Sequence, residues 1–448
     1  MNVRTICRRC GVAAILASAA TGLVLATGQI AQSKVVAPTA TCSAEQKAAR
    51  EAALLRFKQG MAAARRAYFK KHREAKLRRA FARRQSARLR VLQTAAACTV
   101  PALPASSGES CTFKFPPNQG TFRFSEGPLS SDWLSPRGRV DAVLIFVDFP
   151  DAPGVNASGL VPRLTTHVPW FDEVSYGRFN LSVTPVQSWF RVPRPTSSYP
   201  PLNQSVHHPD LFADAIAASD AAVDYSKYQA VFVVGARGWN QGVGGPFLAP
   251  PGSGIRADGR EIRYGVVLGP SVFDNGRPAN TLNHEFLHTL GLPDVHGGNN
   301  SVGGWDPMGG LYSTNHVVGW HKWLLGWLDP AQLTCLSRPG QLEETLTQLD
   351  RPGGKKLVVV PTSGTTAHVV EVRRRSGYDG TICKEGVLVY TVDSLRPSAQ
   401  GPISVGNGGG CFPGGAPFQV GRAFEDAKVK VEVLASDGRA FRVRVTQK

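Results

Sequence analysis

The chain has 448 residues, of which 42 % are hydrophobic and 19 % charged, and its formal net charge is +18. That length suffices for two to three domains with substantial cores. The positive charge is concentrated at one end: residues 43–93 hold 16 Lys/Arg against 3 Asp/Glu and residues 1–42 add four Lys/Arg, which leaves the rest nearly neutral and excludes a basic face on the body as the cause of the high pI.

Residues 1–28 read as a secretory signal. Arg4, Arg8 and Arg9 form a positive start, Gly11 to Ala26 is apolar, and Ala26-Thr27-Gly28 offers small residues for cleavage. The apolar run is 16 residues, short of the roughly 20 that a spanning helix needs. The expectation is a secreted protein, extracellular or associated with the cell envelope, with no membrane span after cleavage. Cys7 and Cys10 fall inside the signal. The other six, Cys42, Cys98, Cys111, Cys335, Cys383 and Cys411, suit an exported chain with up to three disulfides. Cys383–Cys411 is the pairing expected in the C-terminal region.

Ser43 to Gln93 is Ala/Arg/Lys/Leu-rich, has one Gly and no Pro, and opens on the capping-box pattern Ser43-Ala44-Glu45-Gln46. It is expected to be a basic helical arm. One reading is a solvated pro-segment; the other is a tether to an anionic cell-envelope polymer. Sparse aromatics argue against base stacking, and no sequence-specific nucleic acid is expected. Residues 100–120, which begin Val100-Pro101-Ala102-Leu103-Pro104, are a linker by composition.

Residues 121–334 are expected to form the catalytic domain. Val140 to Val147 and Ala230 to Val234 read as buried strands, Leu181 to Val192 as a mixed strand region, Asp210 to Ala222 as an amphipathic helix, and Ile262 to Leu268 as a further strand. Strands interleaved with helices imply an α+β fold.

The most informative stretch follows: His284-Glu285-Phe286-Leu287-His288-Thr289-Leu290-Gly291-Leu292-Pro293-Asp294. Two histidines four apart share one helical face, so both imidazoles can reach one zinc ion. Glu285 stands where it can act as general base without ligating the metal. Gly291 permits a sharp turn that carries Asp294 back as third ligand, and His296, two residues on, is the alternative. Three protein ligands leave a position open, as a catalytic zinc site requires. Downstream, Trp305-Asp306-Pro307-Met308-Gly309 places one of only three methionines in a turn near this site, in the manner of a metzincin Met-turn. Tyr312 is a candidate for stabilising the developing oxyanion.

These motifs, with Trp320-His321-Lys322-Trp323-Leu324-Leu325-Gly326-Trp327-Leu328, resemble the immune inhibitor A family of secreted bacterial metallopeptidases. Ala142 to Asp151, Phe171 to Asn180, Val369 to Arg373 and Gly386 to Asp393 resemble further segments of that family, so the likeness runs from about residue 139 to about 395. It implies a zincin-like fold, one catalytic zinc and endopeptidase activity on proteins or peptides. In a zincin an edge strand of the sheet pairs with extended substrate, and Ile262–Leu268 is the candidate by position. The family runs acidic after the third ligand, whereas this chain has Val295-His296-Gly297-Gly298, so a Ca2+ site stays possible but unplaced.

Residues 335–448 are β-rich, with strands expected at Lys356–Pro361, His368–Arg373, Val387–Val392, Val429–Leu434 and Phe441–Thr446, in a β-sandwich-like domain. The whole is expected to act as a monomer. Two other function classes stay open from the residues alone: a binding or adhesion protein on a peptidase-derived fold, and a zinc amide hydrolase acting on cell-wall peptide.

Overall fold

A computed structural model describes Cys111 and residues 133–199, 208–239, 244–274, 276–297, 302–406 and 416–448. The chain divides into two units, Met1–Ala105 and Ser106–Lys448, and all of the described residues belong to the second. The expected signal, basic arm and, apart from Cys111, linker lie outside the described residues.

The fold is α+β, with several sheets and few helices. In its first half, β1 (Gly138–Asp148), β2 (Phe179–Arg191), β3 (Ala230–Gly235), β4 (Gly244–Leu248), the hairpin β5 (Ile255–Ala257) and β6 (Arg260–Ile262), and β7 (Tyr264–Leu268) are joined by helices. These are α1 (Ala157–Thr165), α2 (Trp170–Val174), α3 (Pro209–Ser219), α4 (Ser271–Asp274) and α5 (Pro278–Thr289). The main sheet has the order β2-β1-β3-β7-β4. β1 to β2, β1 to β3 and β3 to β7 pair in parallel, and β4 pairs antiparallel with β7.

Both faces of this sheet are covered, which is why β1 is apolar without a break from Ala142 to Val147. Val143, Ile145 and Val147 point to one side, where Leu211, Phe212, Ala215 and Ile216 of α3 cover them. Ala142, Leu144 and Phe146 point to the other, where they share a core with Leu282, Phe286 and Leu287 of α5. So α5 is held against the sheet by its apolar stripe, and the opposite stripe is left for chemistry.

The expected edge strand, Ile262–Leu268, is corrected here. β7 is internal, flanked by β3 and β4, and β4 is the edge. Gly244-Gly245-Pro246-Phe247-Leu248 has weak strand propensity and so reads as a loop, but proline is tolerated on an edge.

In the second half, α6 (Gly319–Leu324) leads to β8 (Leu333–Cys335), β9 (Gly340–Thr347), β10 (Leu357–Pro361), β11 (Thr366–Arg373), β12 (Gly386–Asp393), β13 (Ile403–Val405), β14 (Ala423–Glu425), β15 (Val429–Ser436) and β16 (Ala440–Gln447). One sheet runs β13-β12-β11-β10-β8 and the other β14-β15-β16-β9. Val358, Val360, Val370 and Val372 of the first sheet share an apolar cluster with Val429, Val431, Val443 and Val445 of the second. The alternate residues Leu357, Val359, Ala367, Val369, Leu388 and Tyr390 join the same core as α5. The first sheet is therefore buried on both sides, and its outer face is continuous with the core beneath the histidine helix.

Cys111 and Cys335 are joined in a disulfide with Cα atoms 5.8 Å apart and a sequence separation of 224. Closing so long a loop restricts the unfolded chain by up to about 5 kcal/mol. Cys383 is also a disulfide cysteine; its expected partner, Cys411, lies outside the described residues. Among the described residues no helix is long and apolar enough to cross a membrane.

Candidate active site

The histidine motif lies on α5, which starts at Pro278, where the missing N–H of proline costs no helical bond. The helix ends in a Schellman motif: Gly291 N–H donates to His288 O (2.9 Å) and Leu292 N–H to Leu287 O (3.2 Å), with Gly291 at φ +96°. That turn sends the chain back past the helix, as the glycine's position implies.

His284, Glu285 and His288 are 5 %, 7 % and 3 % exposed, and they offer ligand atoms that all lie within 4.8 Å of one another. Each imidazole is oriented by a backbone carbonyl. His284 Nδ1–H donates to Pro307 O (2.9 Å) and His288 Nδ1–H donates to Leu292 O (2.7 Å). Because a carbonyl only accepts, these bonds place a proton on each Nδ1, so each imidazole, when neutral, turns its Nε2 lone pair inward, the arrangement a metal ligand needs.

Asp294 Oδ1 is 3.1 Å from His284 Nε2 and 3.7 Å from His288 Nε2. Nitrogen and oxygen ligands at about 2.0–2.2 Å from a tetrahedral zinc stand about 3.3–3.6 Å apart; the two distances here fall on either side of that range, and two imidazoles with a carboxylate are a donor set that suits zinc. His296 Nε2 is 3.6 Å from the same carboxylate oxygen, but its side chain is 42 % exposed. Asp294 therefore sits among three imidazoles, and His296 flanks the cluster on its solvent side.

The charges follow from burial and proximity. Burial pushes the Glu285 carboxyl up, against the pull of His284 and with the help of Asp294, to about 7. Burial disfavours the His284 cation, yet the Asp294 hydrogen bond and the Glu285 and Asp294 charges outweigh it and raise His284 to about 9. Burial opposes ionisation of Asp294 as well, but the imidazoles bring it down to about 2. The metal-free site thus holds a proton on His284 against an ionised Asp294 at neutral pH.

The Trp305–Gly309 turn sits directly under this helix. Met308 is fully buried, and Val295 N–H donates to its carbonyl (2.8 Å). Asp306, also fully buried, accepts from Met308 N–H (2.8 Å), Val318 N–H (2.7 Å) and His321 Nδ1 (2.8 Å). The sequence singles out Met308, but the atom that touches a histidine is the Pro307 carbonyl, and no side-chain pattern advertises a carbonyl.

Tyr312 is 79 % exposed, with the Arg277 guanidinium 4.5 Å from its ring centre.

No family model and no curated protein matches the chain. The functional reading therefore rests on the motifs and on this geometry. The edge strand adds to it, because a Cβ placed at Gly244 would come within 3.2 Å of Glu285 Cγ and 2.8 Å of Leu268 Cδ2. β4 therefore begins against the carboxylate side chain, so an extended chain laid along this edge would pass the buried acid.

Proposed function

We propose that the protein is a secreted, zinc-dependent endopeptidase of zincin/metzincin type, similar to the immune inhibitor A family. The observation that carries this reading is the convergence of two carbonyl-locked imidazoles on the Asp294 carboxylate, with Glu285 buried beside them.

His284, His288 and Asp294 would hold the metal. Bound zinc supplies a Lewis acid for the scissile carbonyl and makes water acidic enough to attack at neutral pH. Glu285 accepts the proton of the attacking water on its carboxylate and passes it to the leaving amine, and a carboxyl raised towards neutral pH suits both transfers. β4, at the edge of the sheet, would meet an extended peptide through main-chain groups other than an N–H of Pro246, which has none, and selectivity would then be left to side pockets.

The test is hydrolysis of casein by the purified chain with bound zinc quantified. Chelator-sensitive cleavage with one zinc per chain is the expected result. Cleavage of cell-wall peptide but not of casein would replace the endopeptidase by an amide hydrolase. Zinc without cleavage of either would favour a binding protein.

The site also predicts how zinc affinity depends on pH. A metal must displace the proton that His284 holds, since only the neutral imidazole ligates. With that group raised to about 9, affinity should rise by close to tenfold per pH unit from pH 7 to 9 and then level off. Competition titration with a chelator of known proton affinity measures this slope; a flat profile would mean that no such proton is displaced.

A further inference from the structure

The two histidines are fixed by α5, whereas Asp294 lies on a loop, so something else must fix it. The segment that does so is remote in sequence. Both backbone groups of Asp294 are bonded to the loop between β12 and β13: Asp294 N–H donates to Ser398 Oγ (3.0 Å), and Ala399 N–H donates to Asp294 O (3.0 Å). Two residues on, Gly401 N–H donates to His296 O (2.8 Å). Contact is tight enough that a Cβ at Gly297 would come within 2.4 Å of the Ala399 carbonyl oxygen.

The loop itself is anchored to its sheet. Ser394 N–H and Ser394 Oγ–H donate to Thr365 O (2.9 and 3.0 Å), and Asp393 N–H donates to Pro402 O (2.9 Å). Ala399 has φ +62°, a left-handed conformation that residues with a Cβ seldom adopt and that persists only where the surroundings enforce it. That conformation occurs at the residue whose N–H meets the Asp294 carbonyl.

We infer that Pro397–Gly401 is a clamp for the third metal ligand, with Ser398 and Ala399 as positioning residues for Asp294. The inference rests on the metal reading above. An aspartate side chain has two rotatable bonds, so the place of its carboxylate follows the backbone closely, and metal–ligand distances tolerate only a few tenths of an ångström. The β-rich second half is then a working part of the metal centre, because one of its loops sets the geometry of a ligand 104 residues away.

The experiment compares zinc affinity by chelator competition and the visible spectrum of the cobalt-loaded protein for wild type, Ser398→Ala, Ser398→Thr and Ser394→Ala, all as full chains. Ser398 is only partly buried, so its truncation should leave the thermal midpoint of the metal-free chain unchanged. Ser398→Ala should bind zinc about 10–100-fold more weakly, the usual effect of losing a group that orients a ligand. Its cobalt spectrum should change, and kcat should fall with KM unmoved. Ser398→Thr keeps the hydroxyl and should match wild type. Ser394→Ala removes one of the two bonds that anchor the loop to Thr365 O and leaves the Ser394 N–H bond in place, so it should weaken zinc less than Ser398→Ala. Gly297→Ala, which drives a Cβ into the clamp, should weaken zinc at least as much as Ser398→Ala. Wild-type affinity and an unchanged cobalt spectrum in both Ser398→Ala and Gly297→Ala would overturn the clamp while leaving the metal site standing. A wild-type chain that holds no zinc would overturn the metal reading itself, and the clamp with it.

Discussion

Glu285→Gln should leave one zinc per chain in place and lower kcat/KM on casein by about 10²–10⁴-fold, the range that a general base contributes. The substitution is nearly isosteric at a side chain only 7 % exposed, so packing changes little. His284, His288 and Asp294 should keep their positions, because the two histidine Nδ1 bonds go to the backbone carbonyls of Pro307 and Leu292. What is lost is the only function the amide cannot serve, accepting and returning a proton. The pH profile provides a second readout. Burial pushes the Glu285 carboxyl up to about 7 in the metal-free protein, and a base works only when ionised. The acid limb of the wild-type profile, wherever zinc sets its midpoint, should therefore be missing from whatever activity the variant retains. Full activity in a zinc-replete variant would assign the base elsewhere.

The parts of the fold that the sequence makes legible are those in which local pattern and tertiary burial agree. β1 is legible because both of its faces are buried, so Ala142 to Val147 has no polar interruption. The histidine helix is legible because its chemistry needs fixed spacing, and Gly291 marks its end through the one conformation that favours glycine. β4 is not legible: glycine and proline dominate it, and it becomes a strand only because β7 offers it a partner. β9 escapes for a related reason. It lies at the edge of its sheet and is largely exposed, so Glu343 and Glu344 interrupt the apolar alternation that marks a strand.

The candidate site divides in the same way. The side chains proposed to bind metal and to move a proton lie within eleven residues, His284 to Asp294, and can be read from the chain. The groups that aim them cannot. Pro307 O and Leu292 O act through backbone carbonyls, which every residue type carries. Ser398 stands 104 residues from the ligand it holds, and a serine in a Pro/Gly-rich loop has no periodicity to reveal it.

Arg373→Ala should cost about 3–5 kcal/mol of stability, the penalty for stripping a buried charge of its partner. Arg373 is fully buried and bonds Glu371 Oε1 (3.1 Å) and Asp379 Oδ1 (2.7 Å), both of them fully buried carboxylates. The same guanidinium donates to the carbonyls of Trp305 (3.1 Å) and His316 (3.0 Å). It therefore ties β11 to the segment that carries the Met-turn. Burial pushes both Glu371 and Asp379 up, and the arginine is the main influence opposing that rise. Without it, both carboxyls would shift further upward, and the sign of the pH dependence follows. A folded-state pKa above the unfolded one leaves stability untouched below the ordinary carboxylate range and erodes it as pH rises. The deficit of Arg373→Ala relative to wild type should therefore shrink on acidification and widen towards neutral pH, as denaturant titrations at several pH values would record. Lysine should not rescue it, because a single ammonium cannot reproduce the planar fork that meets two carboxylates and two carbonyls. Combining Arg373→Met with Glu371→Gln and Asp379→Asn should recover much of the loss, since none of these three buried side chains then carries a charge. If that triple variant folds but holds zinc poorly, the arginine's second task, holding the turn whose Pro307 carbonyl orients His284, is separated from its first.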